Sequence, residues 1–437
     1  MEIRAIAFIM LLFGSLLLVP SQVLAKSSPL ELQWSNTYKD YFASSIVQIR
    51  DGGFAIAGSN VTVGKSGSFT LYTHNQLLMK INSGGKTEWL KIYQGLYGST
   101  SMISQMPDSG FLLMNYYDRI LLKTNSQGNL EWNRTHTDLW RVSGFAVAED
   151  GSYVMVGYDS SSGYNFAVVL KYSVEGDLLW QKTFIDGNTN VRIMHVLLSG
   201  EGDGYYVSGS WGMSGWFAKL DLDGKVIWSH IYDYVDKSRW SLLSFNLFVP
   251  SLDGGFILGG YDGEFGWVVK VDGKGNELWY KRCGSEEDRL TVTGHEYYIS
   301  DMVELVDGRF LVFNRLGIIC LDTSGEELWF EPYSTYIKTL ENASDYVVRN
   351  VGAIGVIDVD GCLVVAVNYR SEEVSVHSGS SGYSLWVAKF ALEPLPPTNN
   401  SSSDRVMLLF GVVAILVVVV LVFVGFWFLK NKKVKCC

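Results

Sequence analysis

The chain has 437 residues, of which 45 are Asp or Glu and 35 are Lys or Arg, for a formal net charge of −10. Without Glu2, Arg4, Arg405 and the four tail lysines, 44 acidic and 29 basic residues remain over 26–404, a net of −15. So acidic a domain repels nucleic acid and anionic lipid headgroups, which excludes both as ligands of its surface.

Residues 1–25 read as a signal peptide. Arg4 precedes the apolar run Ala5 to Val19, and Val23 and Ala25 form a small-residue cleavage site. The run LELQWSNTY follows as a strand carrying Trp34. Six further tryptophans, Trp89, Trp132, Trp180, Trp228, Trp279 and Trp329, each stand four residues after a glycine, in GKTEW, GNLEW, GDLLW, GKVIW, GNELW and GEELW. Trp34 has no such glycine.

A second series of turns interleaves with the first: Asp51-Gly52, Asp108-Ser109-Gly110, Asp150-Gly151, Asp203-Gly204, Asp253-Gly254, Asp307-Gly308 and Asp360-Gly361, at intervals of 57, 42, 53, 50, 54 and 53. Asp-Gly between apolar runs is a strong hairpin signal, because its turn needs positive φ. A period near 50 in a β-rich chain indicates a propeller with four strands per blade. The expected fold is therefore all-β, a seven-bladed β-propeller over 26–392.

Each unit reads as strand a, the Asp-Gly turn, strand b, a loop, strand c, the glycine turn and strand d with its Trp. The seventh unit stops after strand c, SLWVAKFAL. LQWSNTY with Trp34 is its natural fourth strand, so the two ends of the domain share one blade and no free edge remains. Packing between adjacent blades is the expected role of the seven tryptophans. Lys80, Lys123, Lys171, Lys219 and Lys270 stand nine residues before five of the later tryptophans, with Cys320 in the sixth place. They read as exposed strand-end charges that blunt pairing.

A linker, 393–404, rich in Pro, Asn and Ser, follows as a semi-extended stalk. One transmembrane helix is expected over 405–429, where Met407 to Leu429 is uninterruptedly apolar. Lys430, Lys432, Lys433 and Lys435 place the tail 430–437 in the cytoplasm and the propeller outside the cell membrane. Cys436 and Cys437 are either acylated or plain thiols.

The repeat resembles propeller repeats of prokaryotic exported proteins, including the pyrroloquinoline-quinone-type repeat. Ala218-Lys219-Leu220-Asp221-Leu222-Asp223-Gly224-Lys225-Val226-Ile227-Trp228 matches best. The resemblance covers 30–392 and implies the propeller fold. In the quinone enzymes the aspartate lies one residue further from the glycine than Asp221, Asp272 and Asp322 do here, so no cofactor is expected.

Other site signals are sparse. The three cysteines within 26–404, Cys283, Cys320 and Cys362, form no disulfide framework. The six histidines show no metal-ligand spacing, and no nucleophile elbow or phosphate loop occurs. Asp221-Leu-Asp223-Gly224 and Asp358-Val-Asp360-Gly361 read as polar turns rather than calcium loops. Sequons at Asn60, Asn133, Asn342, Asn399 and Asn400 suit an exported, glycosylated surface.

Both turn series lie on one face of the disk. The b–c and d–a loops lie on the other, where long loops carry Trp140, Tyr164, Trp211, Trp216, Trp240, Phe265, Glu286 and His295, with Tyr333–Tyr346 among them. These eight side chains are the candidate ligand face. The expected function is a non-catalytic cell-surface binding or adhesion module for an extracellular protein or glycan. An exported quinone-linked enzyme and an envelope scaffold are the alternatives. Strand c of the last blade should end on the short-turn face, leaving the long-loop face pointing away from the cell.

Overall fold

The computed structural model describes residues 29–66, 69–98, 100–115, 118–136, 141–160, 163–234, 242–283, 297–341, 349–370 and 383–392. Among them, seven four-stranded antiparallel sheets form the blades of a β-propeller. Blades 1 to 6 span 41–97, 100–135, 141–184, 191–232, 244–283 and 301–332. Blade 7 is built from β26 (Arg349–Ile357), β27 (Leu363–Arg370), β28 (Tyr383–Leu392) and, from the other end of the domain, β1 (Leu30–Lys39).

The first strands of successive blades are β2 (Tyr41–Gln48), β6 (Thr100–Gln105), β10 (Arg141–Val147), β14 (Val191–Leu198), β18 (Ser244–Pro250), β22 (Asp301–Glu304) and β26. Each packs against the next, and β26 packs back on β2. They therefore surround the axis, and the fourth strands form the rim. Middle strands are covered on both faces, so they read as continuous apolar runs rather than alternations. Blade 3 shows it: YVMVGYD in β11 (Tyr153–Asp159) is almost wholly buried, whereas LLWQKTF in β13 (Leu178–Phe184) is mostly exposed. The core is accordingly seven clusters, each shared by two neighbouring blades. No blade has a core of its own, which is why a single repeat could not fold alone.

The tryptophans hold these seams in a specific way. Each partner glycine lies in the next blade. A Cβ on Gly85 would stand 2.6 Å from Trp34 Cδ2, on Gly128 2.7 Å from Trp89 Cζ3, on Gly275 2.7 Å from Trp228 Cζ3 and on Gly325 2.7 Å from Trp279 Cε3. Trp180 meets Gly224 similarly, at 3.0 Å. The indole of one blade thus rests on the bare backbone of the following c–d turn. Trp34 Nε1 also donates to Ser83 O at 3.2 Å, and Trp279 Nε1 to Thr323 O at 3.0 Å. At the seam between blades 2 and 3 the Arg134 guanidinium, 5.4 Å over the Trp132 ring, lies on Gly176 and donates to its carbonyl at 2.6 Å. The turns themselves are pinned by their first residue. Asp221 Oδ1, for instance, accepts from Asp223 N and Lys225 N, and Asp272 and Asp322 do the same in their blades. That is the work of the aspartates whose offset separates this repeat from the quinone enzymes.

Closure reproduces the internal hairpins. Trp34 lies opposite Lys389 after a bulge, as Trp89 lies opposite Lys80 and Trp228 opposite Lys219. Asn368 completes the join by accepting from Ala43 N at 2.7 Å and donating to Ala43 O at 2.6 Å. The cost falls on Trp329. Blade 7 has no c–d turn to receive it, and its Nε1 is buried without a hydrogen-bond partner among the described residues. A helix, α1 (Ser334–Glu341), folds over that seam instead. Tyr336 stacks on Trp386 at 6.0 Å, and its hydroxyl lies 3.4 Å from Leu30 O. Tyr333, expected in a ligand loop, is buried there because it belongs to this seam's core.

The lysine series needs correction. Lys123, Lys270 and Lys389 are only 3%, 3% and 6% exposed. Each binds an aspartate of its own blade's a–b turn: Lys123 to Asp108 at 2.6 Å, Lys270 to Asp253 at 2.6 Å, Lys219 to Asp203 at 2.7 Å, Lys80 to Asp51 and Lys389 to Asp358 at 2.5 Å. They tie the two hairpins of one blade together rather than blunting an edge. Arg309 takes over in blade 6, 2.7 Å from Asp307, where Cys320 occupies the lysine position. Burial alone would raise the carboxyls of Asp51, Asp108 and Asp253. The lysine ammonium and the turn amide outweigh it and hold all three below the usual carboxylate range.

β28 ends at Leu392, opposite Leu30, on the edge that holds the Asp358–Cys362 turn. The expectation that the last strand ends on the short-turn face therefore holds. Among the described residues no helix is long and apolar enough to cross a membrane. The signal peptide, the linker, the expected span 405–429 and the tail lie outside them.

Three outcomes follow. Gly325 and Gly254 have matching φ of 85° and 83°, but only Gly325 faces an indole, while nothing lies within 4 Å of a Cβ on Gly254. Gly254→Ala should cost about 1–2 kcal/mol of backbone strain, and Gly325→Ala about 1–3 kcal/mol more from displacing Trp279. Equal losses in denaturation would remove the indole from the account. Deleting residues 28–37 should open the ring and lower the melting midpoint far beyond a terminal trim, whereas an unchanged midpoint would refute the closure. Because Asp253 titrates lower when folded, its stabilisation is present above about pH 3.9, the ordinary carboxylate value, and fades as pH falls through its folded value. Asp253→Asn should thus melt below the native protein at pH 7, with the gap closing below about pH 4. A gap that does not narrow at all as pH falls below about 4 would show that the Lys270 pair is not its source.

Candidate functional site

The first strands carry side chains to the axis, and at their long-loop ends four blades contribute to one cavity of about 430 Å³. Blade 3 supplies Arg141, the first residue of β10, and Tyr158, near the end of β11. Blade 4 supplies Arg192 and Met194 from β14. Ser244 and Asn246 of β18 come from blade 5, with Tyr261 at the end of β19 (Phe256–Tyr261). Tyr298 enters just before β22, from blade 6. In β14 and β18 a bulge falls at the lining residues Met194 and Asn246, which the ladder register skips.

Two guanidiniums meet on one ring. Arg141 Nη1 donates to the Tyr158 hydroxyl at 3.3 Å, and Arg192 Cζ stands 5.3 Å from the Tyr158 ring centroid. With its amide oxygen turned toward Arg192, Asn165 accepts from Nε at 3.0 Å and from Nη2 at 2.7 Å. Among the described residues no carboxylate pairs with Arg192. Asp262, at the cavity wall, is only 7% exposed. Its Oδ1 accepts from Glu264 N and Phe265 N at 2.8 and 2.7 Å, and its Oδ2 from Trp267 Nε1 at 2.9 Å. That carboxylate is fully engaged inside its own blade. Tyr261 and Tyr298 stand edge to face at 5.8 Å, and Tyr298 remains 37% exposed. Ser244 Oγ is shielded from solvent yet has no hydrogen-bond partner among the described residues.

The sequence-derived ligand face is only partly borne on the surface. Trp216 is 1% exposed and Phe265 3%, so both are corrected to core. Trp216 packs in the seam between blades 3 and 4, against Phe184 at 5.8 Å, and Phe265 lies under Arg282 at 4.3 Å. Tyr164 is exposed, at 43%. Trp211 is half-buried, donating from Nε1 to Asp186 at 2.8 Å and meeting Trp216 edge to face at 5.3 Å. None of these four lines the cavity. Trp140, Trp240, Glu286 and His295 lie outside the described residues. Tyr261, in the loop-rich stretch Tyr261–Phe265 of that face, does line the cavity, whereas Arg141, Arg192 and Tyr298 carry no sequence signal. Each sits at or beside a strand end, and only the ring brings them together.

Other candidates resolve simply. Cys283, Cys320 and Cys362 are free thiols. Among the described residues no three His, Cys, Asp or Glu side chains cluster as a metal site would require. Asn133 is exposed, whereas Asn60 lies inside a strand paired on both sides, with its side chain toward Asp40 O at 3.3 Å. Asn342, Asn399 and Asn400 lie outside the described residues.

No family model and no curated protein matches the chain. Solved structures similar to it include a virginiamycin B lyase from Staphylococcus aureus, at 9% identity and a TM-score of 0.49, covering 81% of this chain and 99% of that one. The extracellular domain of a putative one-component system from B. thetaiotaomicron is 11% identical, with a TM-score of 0.49, covering 82% of this chain and 40% of the other. A protein of unknown function from Bacteroides caccae is 12% identical, with a TM-score of 0.39, covering 63% of this chain and 94% of its own. At such distance the likeness extends to the fold alone, which the sheet order establishes independently: the chain is a seven-bladed β-propeller.

Proposed function

We propose that this propeller is a non-catalytic binding module, displayed at the cell surface on a C-terminal membrane anchor, that takes its ligand at the axial mouth of the long-loop face. The observation that carries this reading is the convergence of side chains from four blades on one cavity of about 430 Å³. Cavities of that size, with aromatic walls and a few placed polar groups, suit one sugar or side-chain-sized unit. A rigid ring with irregular loops is the usual platform for such recognition. The anchor and the export signal rest on the amino-acid sequence of 405–437 and 1–25.

On a glycan and peptide array, the purified full-length protein is expected to retain a ligand. Combining Tyr261→Ala with Tyr298→Ala should weaken that ligand about tenfold or more. Undiminished binding by the double variant would move the site away from the axis and contradict the proposal.

A further inference from the structure

The axial cavity is cationic within a domain whose sequence is strongly acidic. Arg192 is half-buried at its wall, fixed by Asn165 on one edge and by the Tyr158 ring on its face. The fork's remaining N–H donors have no protein acceptor among the described residues. Arg141 reaches the same tyrosine from the neighbouring blade. Asp262, the carboxylate among the described lining residues, has both oxygens occupied by amide and indole donors. Beside it, the Ser244 hydroxyl is shielded from solvent and unpartnered. Buried polar groups are ordinarily paired, and one left open at a cavity wall marks where a ligand atom or water belongs.

Resting on the binding role proposed above, we propose that the cavity recognises a small ring-bearing ligand through an oxyanion, a carboxylate or a phosphate, clamped by Arg192 with Arg141 beside it. A planar guanidinium fork matches either group with paired N–H donors. Tyr298 and Tyr261 supply apolar faces for the ring, and Ser244 and Asn246 lie within the wall to take its hydroxyls. Among the described lining residues the carboxylate, Asp262, is already engaged and offers little to a cationic ligand, and a neutral one leaves the Arg192 fork unmatched in a partly desolvated site.

The test is calorimetric titration of the full-length protein with three probes: inorganic phosphate, glucuronate and glucose. Glucuronate or phosphate should bind at least about tenfold more tightly than glucose, as expected for one charged hydrogen-bonded contact. The oxyanion affinity should fall as ionic strength rises about tenfold, because the contact is electrostatic. Arg192→Gln should lose about tenfold or more in oxyanion affinity and Arg192→Lys less, since charge survives and the fork does not. Phosphate tighter than glucuronate assigns a phosphorylated ligand, and the reverse assigns a carboxylated one. Glucose binding as well as glucuronate, oxyanion binding insensitive to Arg192→Gln, or no oxyanion binding up to about 10 mM would each overturn the proposal. Should Arg192→Gln fail to fold, the salt dependence of the native protein decides. A neutral ligand lost on Tyr298→Ala would sink the oxyanion while sparing the binding role. Array binding insensitive to Tyr261→Ala with Tyr298→Ala would sink the role itself.

Discussion

An indole resting on a turn that has no Cβ is the contact on which the rest of this propeller depends. It joins each blade to the next at the rim, where the exposed fourth strands would otherwise have least to hold them. Because the ring of one blade needs the glycine of another, neither residue can be understood from its own hairpin. The repeated spacing of glycine and tryptophan within one turn is a by-product of this relay: five of the six glycine turns receive an indole from the preceding blade, and the same hairpins carry the tryptophans passed on to the next. Where the relay is altered, the structure substitutes. Arg134 stands in at one seam, and α1 covers the seam where no turn exists to meet Trp329.

The two faces of the disk are physically different. On the short-turn face, lysines and turn aspartates lock the two hairpins together in blades 1, 2, 4, 5 and 7. At the mouth of the other face, the first residues of four inner strands put arginine and tyrosine around a cavity. Rigidity on one side supports variation on the other: β14 and β18, which start at the cavity, are held at their far ends by the Asp203–Lys219 and Asp253–Lys270 pairs. The acidity of the domain and the positive cavity also act together. The surrounding field disfavours non-specific anions, so only a ligand whose shape lets it reach the guanidiniums gains their full attraction.

Much of this was legible in the chain because repetition is. Seven Asp-Gly turns and seven tryptophans announced seven blades, and the orphan Trp34 announced the closure. Lys389 escaped the lysine series because its tryptophan, Trp34, lies at the other end of the domain. The lysines looked exposed because their partners, the turn aspartates, sit 15 to 17 residues away in the preceding hairpin for Lys123 and Lys270. Trp216 and Phe265 looked like loop aromatics, yet burial beside a loop is decided by the neighbouring blade, which local sequence does not name. Arg141 and Arg192 carried no motif. What unites them is the ring itself, which sets the starts of adjacent inner strands side by side.

Amide hydrogen exchange across β1, Leu30–Lys39, tests the closed, indole-linked ring most directly. With the strand paired to β28 and Trp34 seated on Gly85, the account predicts that its ladder amides exchange as slowly as those of the internal rim strand β13. Exchange at the rate of an unstructured terminus, while β13 stays protected, would contradict it.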